Sequence, residues 1–233
     1  MSSELPAELI TYYDDDSGER VGLTSAEVGS WSAATASLLT SECGLAAGGQ
    51  VGVLLPPHWQ TAVVLLGAWS AGMEVSFRGW GAAGLSPAGA PLDATFVASR
   101  RAGSWLDDVP GGRHQFSLFG NTPSGYRDYV ASVRAHLGSA APSWSVAVDD
   151  VAAAGGVTFG EYGAVALEMA SSRGISRGDR VLIDTAVSEE PLIWLMAPLS
   201  AGASIVLCAN PDRARVEERI ASERVTKVFA AAG

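Results

Sequence analysis

The chain has 233 residues, of which 48% are apolar, and its formal net charge is −10. This length suits one large domain or two small lobes with a shared core, and the apolar content is ample for a packed interior. The excess of carboxylates argues against nucleic acids and anionic membranes as partners.

The first third of the chain predicts a hairpin followed by helices and strands in alternation. Thr24 and Glu27 form a capping box that opens a helix, and Gly44 ends it. The apolar run Val51–Leu55 is typical of a strand that is covered on both faces. The other predicted elements are the strands Ile10–Tyr13, Arg20–Leu23 and Glu74–Phe77 and the helix Trp59–Ser70.

The middle and the last third predict further strands and helices, with a small, Pro-containing linker at Gly138–Ser145. The predicted strands are Asp93–Ser99, Phe116–Phe119, Val181–Asp184, Ser204–Cys208 and Thr226–Phe229. The predicted helices are Trp105–Val109, Tyr126–Leu137, Phe159–Ser172, Pro191–Leu199 and Asp212–Glu223. Strands that alternate with helices at this spacing indicate βαβ units and a mostly parallel sheet.

Three features bear on the cellular compartment. Leu192–Cys208 is the most apolar stretch, but Pro198 and Gly202 interrupt it, and it falls short of the ~20 residues that span a bilayer. Cys43 and Cys208 lack ligand-like spacing and are expected as free thiols in a reducing compartment. The first ten residues have no basic start and no apolar core, so we predict no signal peptide and a cytoplasmic protein.

One supersecondary unit occurs twice in the chain. Gly44–Val53 matches Gly174–Ile183, and Leu65–Gly72 matches Leu195–Gly202 without a gap. A Thr-x-x-Glu capping box precedes each copy. The repeat predicts an α/β fold of two pseudo-symmetric βαβ-type lobes with mostly parallel sheets. The expected parts are a first lobe with the hairpin at 1–137, a linker at 138–157 and a second lobe at 158–233.

Motifs in both halves resemble one enzyme superfamily. Those of the first half are Ile10-Thr11-Tyr12, Leu23-Thr24-x-x-Glu27, Gly48-x-x-Val51-x-Val53-Leu54-Leu55-Pro56 and Gly67-Ala68-x-x-Ala71-Gly72. Those of the second half are Gly178-Asp179-Arg180-Val181-Leu182, Pro198-Leu199-x-Ala201-Gly202-Ala203-x-Ile205-Val206-Leu207 and Glu223-Arg224-Val225-Thr226. The chain thus resembles the first part of the N-terminal domain of adenylate-forming enzymes, which include acyl-CoA synthetases, luciferases and nonribosomal peptide adenylation domains. It is also similar to a small actinobacterial group of AMP-binding-like proteins without an established activity.

The resemblance implies the fold, whereas missing motifs argue against adenylation. The superfamily places a Ser/Thr/Gly-rich loop ending in Pro-Lys between the two halves, where it holds the ATP phosphates. This chain has Asp149–Val157 there, without a hydroxyl run or a lysine, and Asp184–Glu190 lacks the histidine of the superfamily's aromatic-His segment. The adenine, ribose and hinge motifs and the domain with the catalytic lysine have no counterpart. We therefore expect a truncated, degenerate relative, a pseudoenzyme.

Ligands of parallel α/β sheets bind beyond the carboxyl ends of the strands. His58-Trp59-Gln60 follows the first such strand of the repeat. These residues either combine acid–base chemistry with a stacking surface or form a polar helix cap with a packed Trp. Ser188-Glu189-Glu190 follows the second such strand, and its carboxylates either contact a ligand or complement a helix dipole.

Two further candidates are glycine-rich. Gly155 and Gly156 either cradle a phosphate or form a plain turn before the next helix. Arg78, in Arg78-Gly79-Trp80-Gly81, either holds an anion or shapes a loop, and Gly111–His114 is expected to be a surface loop. The sequence has no nucleophile-elbow motif and no zinc-ligand spacing, so neither a catalytic residue nor a metal is expected.

The leading functional hypothesis is therefore non-enzymatic, with a small ligand or a protein partner bound in a crevice between the lobes. No cofactor is evident. Binding of AMP, ATP or CoA is possible, but no motif supports it. The alternative is a minimal acyl- or aryl-adenylating ligase or a nucleotide-handling enzyme with a non-standard phosphate site, for which Arg78 and Arg113 are the available cations. A homodimer or a protein partner is expected, because truncation exposes a sheet edge or an apolar face.

Overall fold

The computed structural model describes residues 7–77, 92–102, 111–140 and 145–229. The strands in these ranges are β1 (Glu8–Asp14), β2 (Glu19–Thr24), β3 (Gln50–Leu54), β4 (Glu74–Phe77), β5 (Leu92–Ala98), β6 (Gly112–Leu118), β7 (Arg127–Asp128), β8 (Val151–Ala153), β9 (Val157–Thr158), β10 (Arg180–Asp184), β11 (Ser204–Ala209) and β12 (Lys227–Phe229). The helices are α1 (Ser25–Ser37), α2 (Trp59–Ser70), α3 (Tyr129–Arg134), α4 (Phe159–Ser172), α5 (Ala197–Ser200) and α6 (Arg213–Ser222), with π-helical turns at Leu38–Glu42 and Leu192–Met196.

The described residues form two compact units. The first unit takes its residues from 1–29, 57–59 and 163–233, and the second takes its residues from 30–56 and 60–162. The hairpin is thus in the same unit as the C-terminal strands, whereas the sequence-based division groups it with residues up to 137. The reason is that β1 pairs in parallel with β11, a long-range contact that no local sequence pattern reveals.

The first unit is built on a five-stranded sheet in the order β12-β10-β11-β1-β2. β1 and β2 form an antiparallel hairpin, and the other neighbouring strands run parallel. Ile205 of β11 lies level with Ile10 of β1 and with Val181 of β10, and all three side chains are fully buried. Branched apolar residues place β11 at the centre of this unit's core.

The second unit is built on a sheet in which seven described strands follow the order β7-β6-β5-β3-β4-β8-β9. Phe96 of β5 stacks on Phe116 of β6 with ring centroids 5.1 Å apart, and the buried Tyr129 ring of α3 meets Phe96 edge-on at 5.7 Å. The Tyr129 hydroxyl shares a hydrogen bond of 2.8 Å with the Thr35 hydroxyl of α1. These contacts join α3 to the sheet and to α1.

Glycines with positive φ shape equivalent turns in the two units. The Gly48 N–H donates to the Gly72 carbonyl at 2.8 Å, and the Gly178 N–H donates to the Gly202 carbonyl at 3.0 Å. All four residues have φ between 68° and 87°, a region that glycine adopts without steric cost. Each of these hydrogen bonds closes a βαβ unit at the amino ends of its strands.

The α/β fold with mostly parallel sheets is confirmed. The helices Trp59–Ser70 and Phe159–Ser172 have the predicted bounds. Both capping boxes form, because the N–H groups of Thr24 and Thr158 donate to the carboxylates three residues later, at 2.7 and 2.9 Å. Within the described ranges, no helix is long and apolar enough to cross a bilayer.

The sequence prediction missed the three strands β7, β8 and β9, made one helix too long, and expected a loop at Gly111–His114, where β6 begins. β8 lies inside the expected linker and β9 crosses its end, and β8 pairs in parallel with β4 at Val75 and Ala153. A three-residue strand is too short to show a periodic pattern. The helix predicted from Tyr126 begins at Tyr129, because Asp128 caps it by accepting the Ala131 N–H at 2.6 Å. The helix predicted at 105–109 lies outside the described residues.

Candidate functional site

His58 lies at the carboxyl edge of the sheet in the first unit. Its side chain is 6% exposed, its ring centroid is 4.1 Å from that of Tyr12, and its Nε2 is 3.9 Å from a carboxylate oxygen of Glu19. Burial lowers the pKa of His58, although the hydrogen bond and charge of Glu19 act in the opposite direction. The imidazole is therefore neutral near pH 7 and closely surrounded by protein.

Trp59 and Gln60 open α2. The Trp59 side chain is packed, with its ring centroid 5.7 Å from that of His58, and its Nε1–H donates to Glu19 at 3.5 Å. The pKa of Glu19 falls below its usual value, with the hydrogen bond from His58 as the largest cause. Gln60 is half-buried. Thr61, which the sequence reasoning did not single out, donates its hydroxyl to the carbonyl of residue 56 at 2.7 Å and closes the turn into α2.

Ser188 and Glu189 lie after β10, in the turn that leads to the π-helical turn Leu192–Met196. The Ser188 hydroxyl accepts the Glu190 N–H at 3.2 Å, and the Glu189 carbonyl accepts the Trp194 Nε1–H at 3.1 Å. Trp194 is fully buried. These hydrogen bonds fix the turn on the core of the first unit.

Gly155 and Gly156 form the turn between β8 and β9. Their φ angles are 91° and 82°, both residues are exposed, and no atom lies within 4 Å of the position that a Cβ would take at either of them. The turn is anchored where the Ala154 N–H donates to the Val75 carbonyl at 3.2 Å. Asp149–Val157 contains no basic side chain, so the backbone N–H groups are the donors that this loop offers an anion.

The candidate residues fall in both units. His58, Trp59, Ser188 and Glu189 belong to the first unit, and Gln60, Gly155 and Gly156 belong to the second. Arg78 lies outside the described residues. Arg113 is exposed and pairs with Asp93 at 3.5 Å. The crevice between the lobes stays a prediction.

The second unit contains a serine–histidine–carboxylate arrangement that the sequence did not suggest. Ser37 Oγ lies 3.0 Å from His136 Nδ1, and His136 Nε2 lies 2.8 Å from a Glu42 oxygen. Arg127 also pairs with Glu42. Ser37 is the last residue of α1, and the π-helical turn Leu38–Glu42 continues directly from it. The arrangement ties α1 and this turn to the segment that follows α3.

A charged cluster lies at the amino edge of the sheet in the first unit; we call Glu8, Arg20, Arg180 and Glu223 the Arg180 cluster. Arg180 donates to the Glu8 carbonyl at 3.0 Å and to the Glu223 carboxylate. Arg20 donates to the carboxylates of Glu8 and Glu223 at 2.9 and 3.1 Å. Burial raises the pKa of Glu223, but hydrogen bonds from Tyr13, Arg180 and Arg20 outweigh it and lower the pKa below its usual value.

A cavity of about 600 Å³ opens beside the Arg180 cluster. It lies where β1, β10 and β11 begin, so it is at the opposite end of these strands from His58. The sequence reasoning missed it because ligands of parallel sheets usually bind at the carboxyl ends. Its lining residues are Ala7, Glu8, Leu9, Ser25, Gly178, Asp179, Arg180, Gly202, Ala203, Ser204, Ser222, Glu223 and Arg224.

Comparison with known proteins identifies the family of the chain. No family model matches the sequence. A "TIGR03089 family protein" from Mycobacterium tuberculosis (strain ATCC 25618 / H37Rv) is 36% identical over 94% of this chain and 90% of its own length. This chain belongs to the TIGR03089 family.

Solved structures show the fold of this TIGR03089 family chain. The acyl-CoA synthetase of Brucella canis is similar with a TM-score of 0.71 and 17% identity over 97% of this chain and 45% of that one. The inhibitor-bound N-terminal domain of FACL13 from Mycobacterium tuberculosis has a TM-score of 0.66 and 19% identity over 95% of this chain and 59% of that one. VinN has a TM-score of 0.64 and 16% identity over 97% of this chain and 57% of that one. The chain spans about half the length of these structures, and its fold is similar to part of an adenylate-forming N-terminal domain, as the sequence motifs predicted.

Proposed function

We propose that this TIGR03089 family chain acts by binding and not by catalysis. In this proposal it keeps the adenylate-forming fold and uses it to hold a small ligand or a protein partner, in the crevice that the repeat predicts between the lobes. The observation that carries the proposal is the glycine turn between β8 and β9.

That turn is open but offers an anion no positive charge. Gly155 and Gly156 are exposed, and Asp149–Val157 begins with two carboxylates and has no lysine or arginine. Transfer of an adenylyl group requires positive charge on the departing pyrophosphate. A loop of this composition supports nucleotide-independent binding better than ATP activation.

Among the residues that the structure describes, the carboxyl edge of the sheet in the first unit is also poor in free cations. Asp14 and Asp184 end two of its strands. Arg219 in the neighbouring α6 is 6% exposed and already paired with Asp15 at 2.7 Å. The neutral, buried His58 adds neither charge nor an open basic nitrogen. Phosphate groups would meet net negative charge at this edge.

The test is pyrophosphate exchange with ATP and a panel of acyl and aryl carboxylates, alongside calorimetric titration with ATP, AMP and CoA. We expect no exchange. Incorporation of labelled pyrophosphate into ATP would refute the proposal and establish a minimal adenylating ligase. Silence in both assays would direct the search to a protein partner.

The matched variant for nucleotide binding is Gly156→Ala. An alanine at φ 82° is strained, so it disturbs this turn without adding charge. Nucleotide binding that weakens in this variant would assign a phosphate to the turn. Binding that persists unchanged would place the ligand elsewhere on the chain.

A further inference from the structure

We propose that the cavity at the amino edge of the sheet in the first unit binds a small organic monoanion, and that Arg224 is its anchoring residue. The site is distinct from the crevice of the proposed function and does not depend on it. All of its lining residues belong to the first unit.

The floor of the cavity is rigid and its charges are mutually satisfied. Arg180 is engaged by Glu223, by the Glu8 carbonyl and by the Thr11 hydroxyl at 2.8 Å. Backbone hydrogen bonds join the loops around it, such as the Ser204 N–H with the Asp179 carbonyl at 2.9 Å. The Arg180 cluster therefore shapes the cavity, but its arginines are paired and are not free to bind a ligand.

Arg224 occupies a backbone position that is normally filled by glycine. It is the residue after Glu223, the C-cap of α6, and its φ is 52°. Left-handed residues at this position are usually Gly, and sometimes Asn, because a longer side chain is strained there. A strained arginine that lines a cavity indicates that its side chain serves a purpose other than ending the helix.

The Arg224 side chain is available to a ligand. It is exposed, it lines the cavity, and it forms no ion pair or side-chain hydrogen bond with another residue in the described part of the chain. By contrast, Arg20, Arg180 and Arg219 are all paired with carboxylates. On a chain with a net charge of −10, an unpaired arginine at a cavity mouth is a ready partner for an anion.

The lining also limits the class of anion. Arg20 and Arg180 balance the charges of Glu8 and Glu223, so Arg224 and the Asp179 carboxylate, which line the same cavity, leave no surplus positive charge for a dianion such as a phosphate monoester. Leu9 and Ala203 are apolar residues of the lining. A cavity of about 600 Å³ lies in the range of small-molecule sites. An organic monocarboxylate with an apolar body matches these three properties.

The test uses benzoate, 2-naphthoate and inorganic phosphate as probes on the full chain. Binding is measured by ligand-observed NMR and by the shift of the melting temperature. Arg224→Gly removes both the anchor and the backbone strain, and Arg224→Lys keeps the charge. Arg213→Ala is the matched control, since Arg213 is an exposed arginine of α6 that does not line the cavity.

We expect the carboxylates to bind the wild type. Arg224→Gly should raise their Kd by about tenfold to a hundredfold. Arg224→Lys should retain part of the affinity, and Arg213→Ala should retain all of it. Without ligand, Arg224→Gly should melt at or above the wild-type temperature, because glycine relieves the strain.

Three results would overturn the proposal. The first is an absence of carboxylate binding to the wild type, and the second is unchanged binding to Arg224→Gly. The third is tighter binding of phosphate than of 2-naphthoate, which would contradict the charge balance between Arg224 and Asp179. A lower melting temperature for unliganded Arg224→Gly would show that the arginine supports the fold, and would also count against the assignment.

Discussion

Tyr13 connects two groups of charged residues in the first unit. Its hydroxyl donates to Glu223 of the Arg180 cluster and accepts the Arg20 Nε–H at 3.0 Å. The guanidinium of Arg219 lies 4.1 Å from the Tyr13 ring centroid and pairs with Asp15. Burial raises the pKa of Tyr13, so the hydroxyl stays a donor at physiological pH.

Tyr13→Phe removes this hydroxyl and leaves Glu223 with two donors instead of three. We expect a loss of about 1–2 kcal/mol in the free energy of unfolding, measured by urea denaturation. Tyr126→Phe is the control, because the Tyr126 hydroxyl has no hydrogen-bond partner among the described residues. An equal loss in both variants would show that the Glu223 contact contributes nothing.

His58 makes the stability of the chain depend on pH. Its pKa in the fold is lowered by burial, whereas the unfolded chain has an ordinary value of about 6.5. Below that value the unfolded state binds a proton that the folded state does not, so stability falls as the pH drops. Glu19 has a lowered pKa, so it titrates below this window.

The free energy of unfolding should fall between about pH 7 and about pH 5.5, with a slope of at most about 1.4 kcal/mol per pH unit. Urea denaturation across this range measures it. His58→Gln should flatten the slope. A slope that survives in His58→Gln would assign the effect to another group.

The candidate site was only partly predictable at the level of residues. The segment at His58 could be found because two prolines and a polar helix start follow an apolar strand. The burial of that histidine against Tyr12 and Glu19 could not, because β1 and β2 meet it through tertiary contacts. Arg224 stands in one of the quoted motifs, but its conformation could not be predicted, since a left-handed φ at an arginine has no sequence signal.

At the level of elements, α1 and α2 pack closely because Gly67 has no side chain. A Cβ at Gly67 would lie 2.6 Å from the Thr35 Cβ and 2.7 Å from the Ser32 carbonyl oxygen. Both atoms belong to a helix and cannot move independently. Gly29, also in α1, has no atom within 4 Å of its Cβ position.

Gly67→Ala should therefore destabilise the fold by about 1–3 kcal/mol through overpacking. Gly29→Ala should stabilise it by up to about 1 kcal/mol, because alanine favours a helix over glycine. Chemical denaturation of the two single variants provides the comparison. Changes of the same sign would contradict the packing argument.

α6 is fastened to the first unit by a buried ion pair. Asp15 accepts from Arg219 at 2.7 Å, with the two side chains 8% and 6% exposed. The hydrogen bond from Arg219 is the largest cause that lowers the pKa of Asp15. Asp15→Asn leaves the arginine buried without a counter-charge.

We expect Asp15→Asn to lower the free energy of unfolding by about 3 kcal/mol. Asp16→Asn at the exposed neighbouring position should stay within about 0.5 kcal/mol of the wild type. Hydrogen exchange of the α6 amides should accelerate in the first variant alone. Unaltered exchange there would mean that α6 is held by its apolar contacts.

Elements with strong periodic or apolar patterns were predictable, and short ones were not. Trp59–Ser70 and Val51–Leu55 are apolar over enough residues for local sequence to set their type. β8 and β9 form because β4 presents an open edge to them, which is a tertiary cause. α3 starts later than predicted because Asp128 caps it. It ends earlier than predicted because residues 135–138 form turns.

At the level of the whole molecule, charge remains the main predictor of partners. With 25 acidic and 15 basic residues, the surface repels polyanions. We expect no binding to duplex DNA or to phosphatidylserine vesicles at physiological salt, measured by gel shift and vesicle sedimentation. Salt-sensitive binding to either would reveal a local basic patch. The homodimer or protein partner also stays a prediction.

The pairing of β1 with β11 has a consequence for synthesis on the ribosome. Ile10 lies level with Ile205 in the sheet, so β1 must wait until β11 has been synthesised before it can pair with it. Residues 30–56 and 60–162, by contrast, hold all the strands of the second unit. The nascent chain can therefore fold its middle first, while the edge of β1 that faces β11 stays unpaired until β11 has been synthesised.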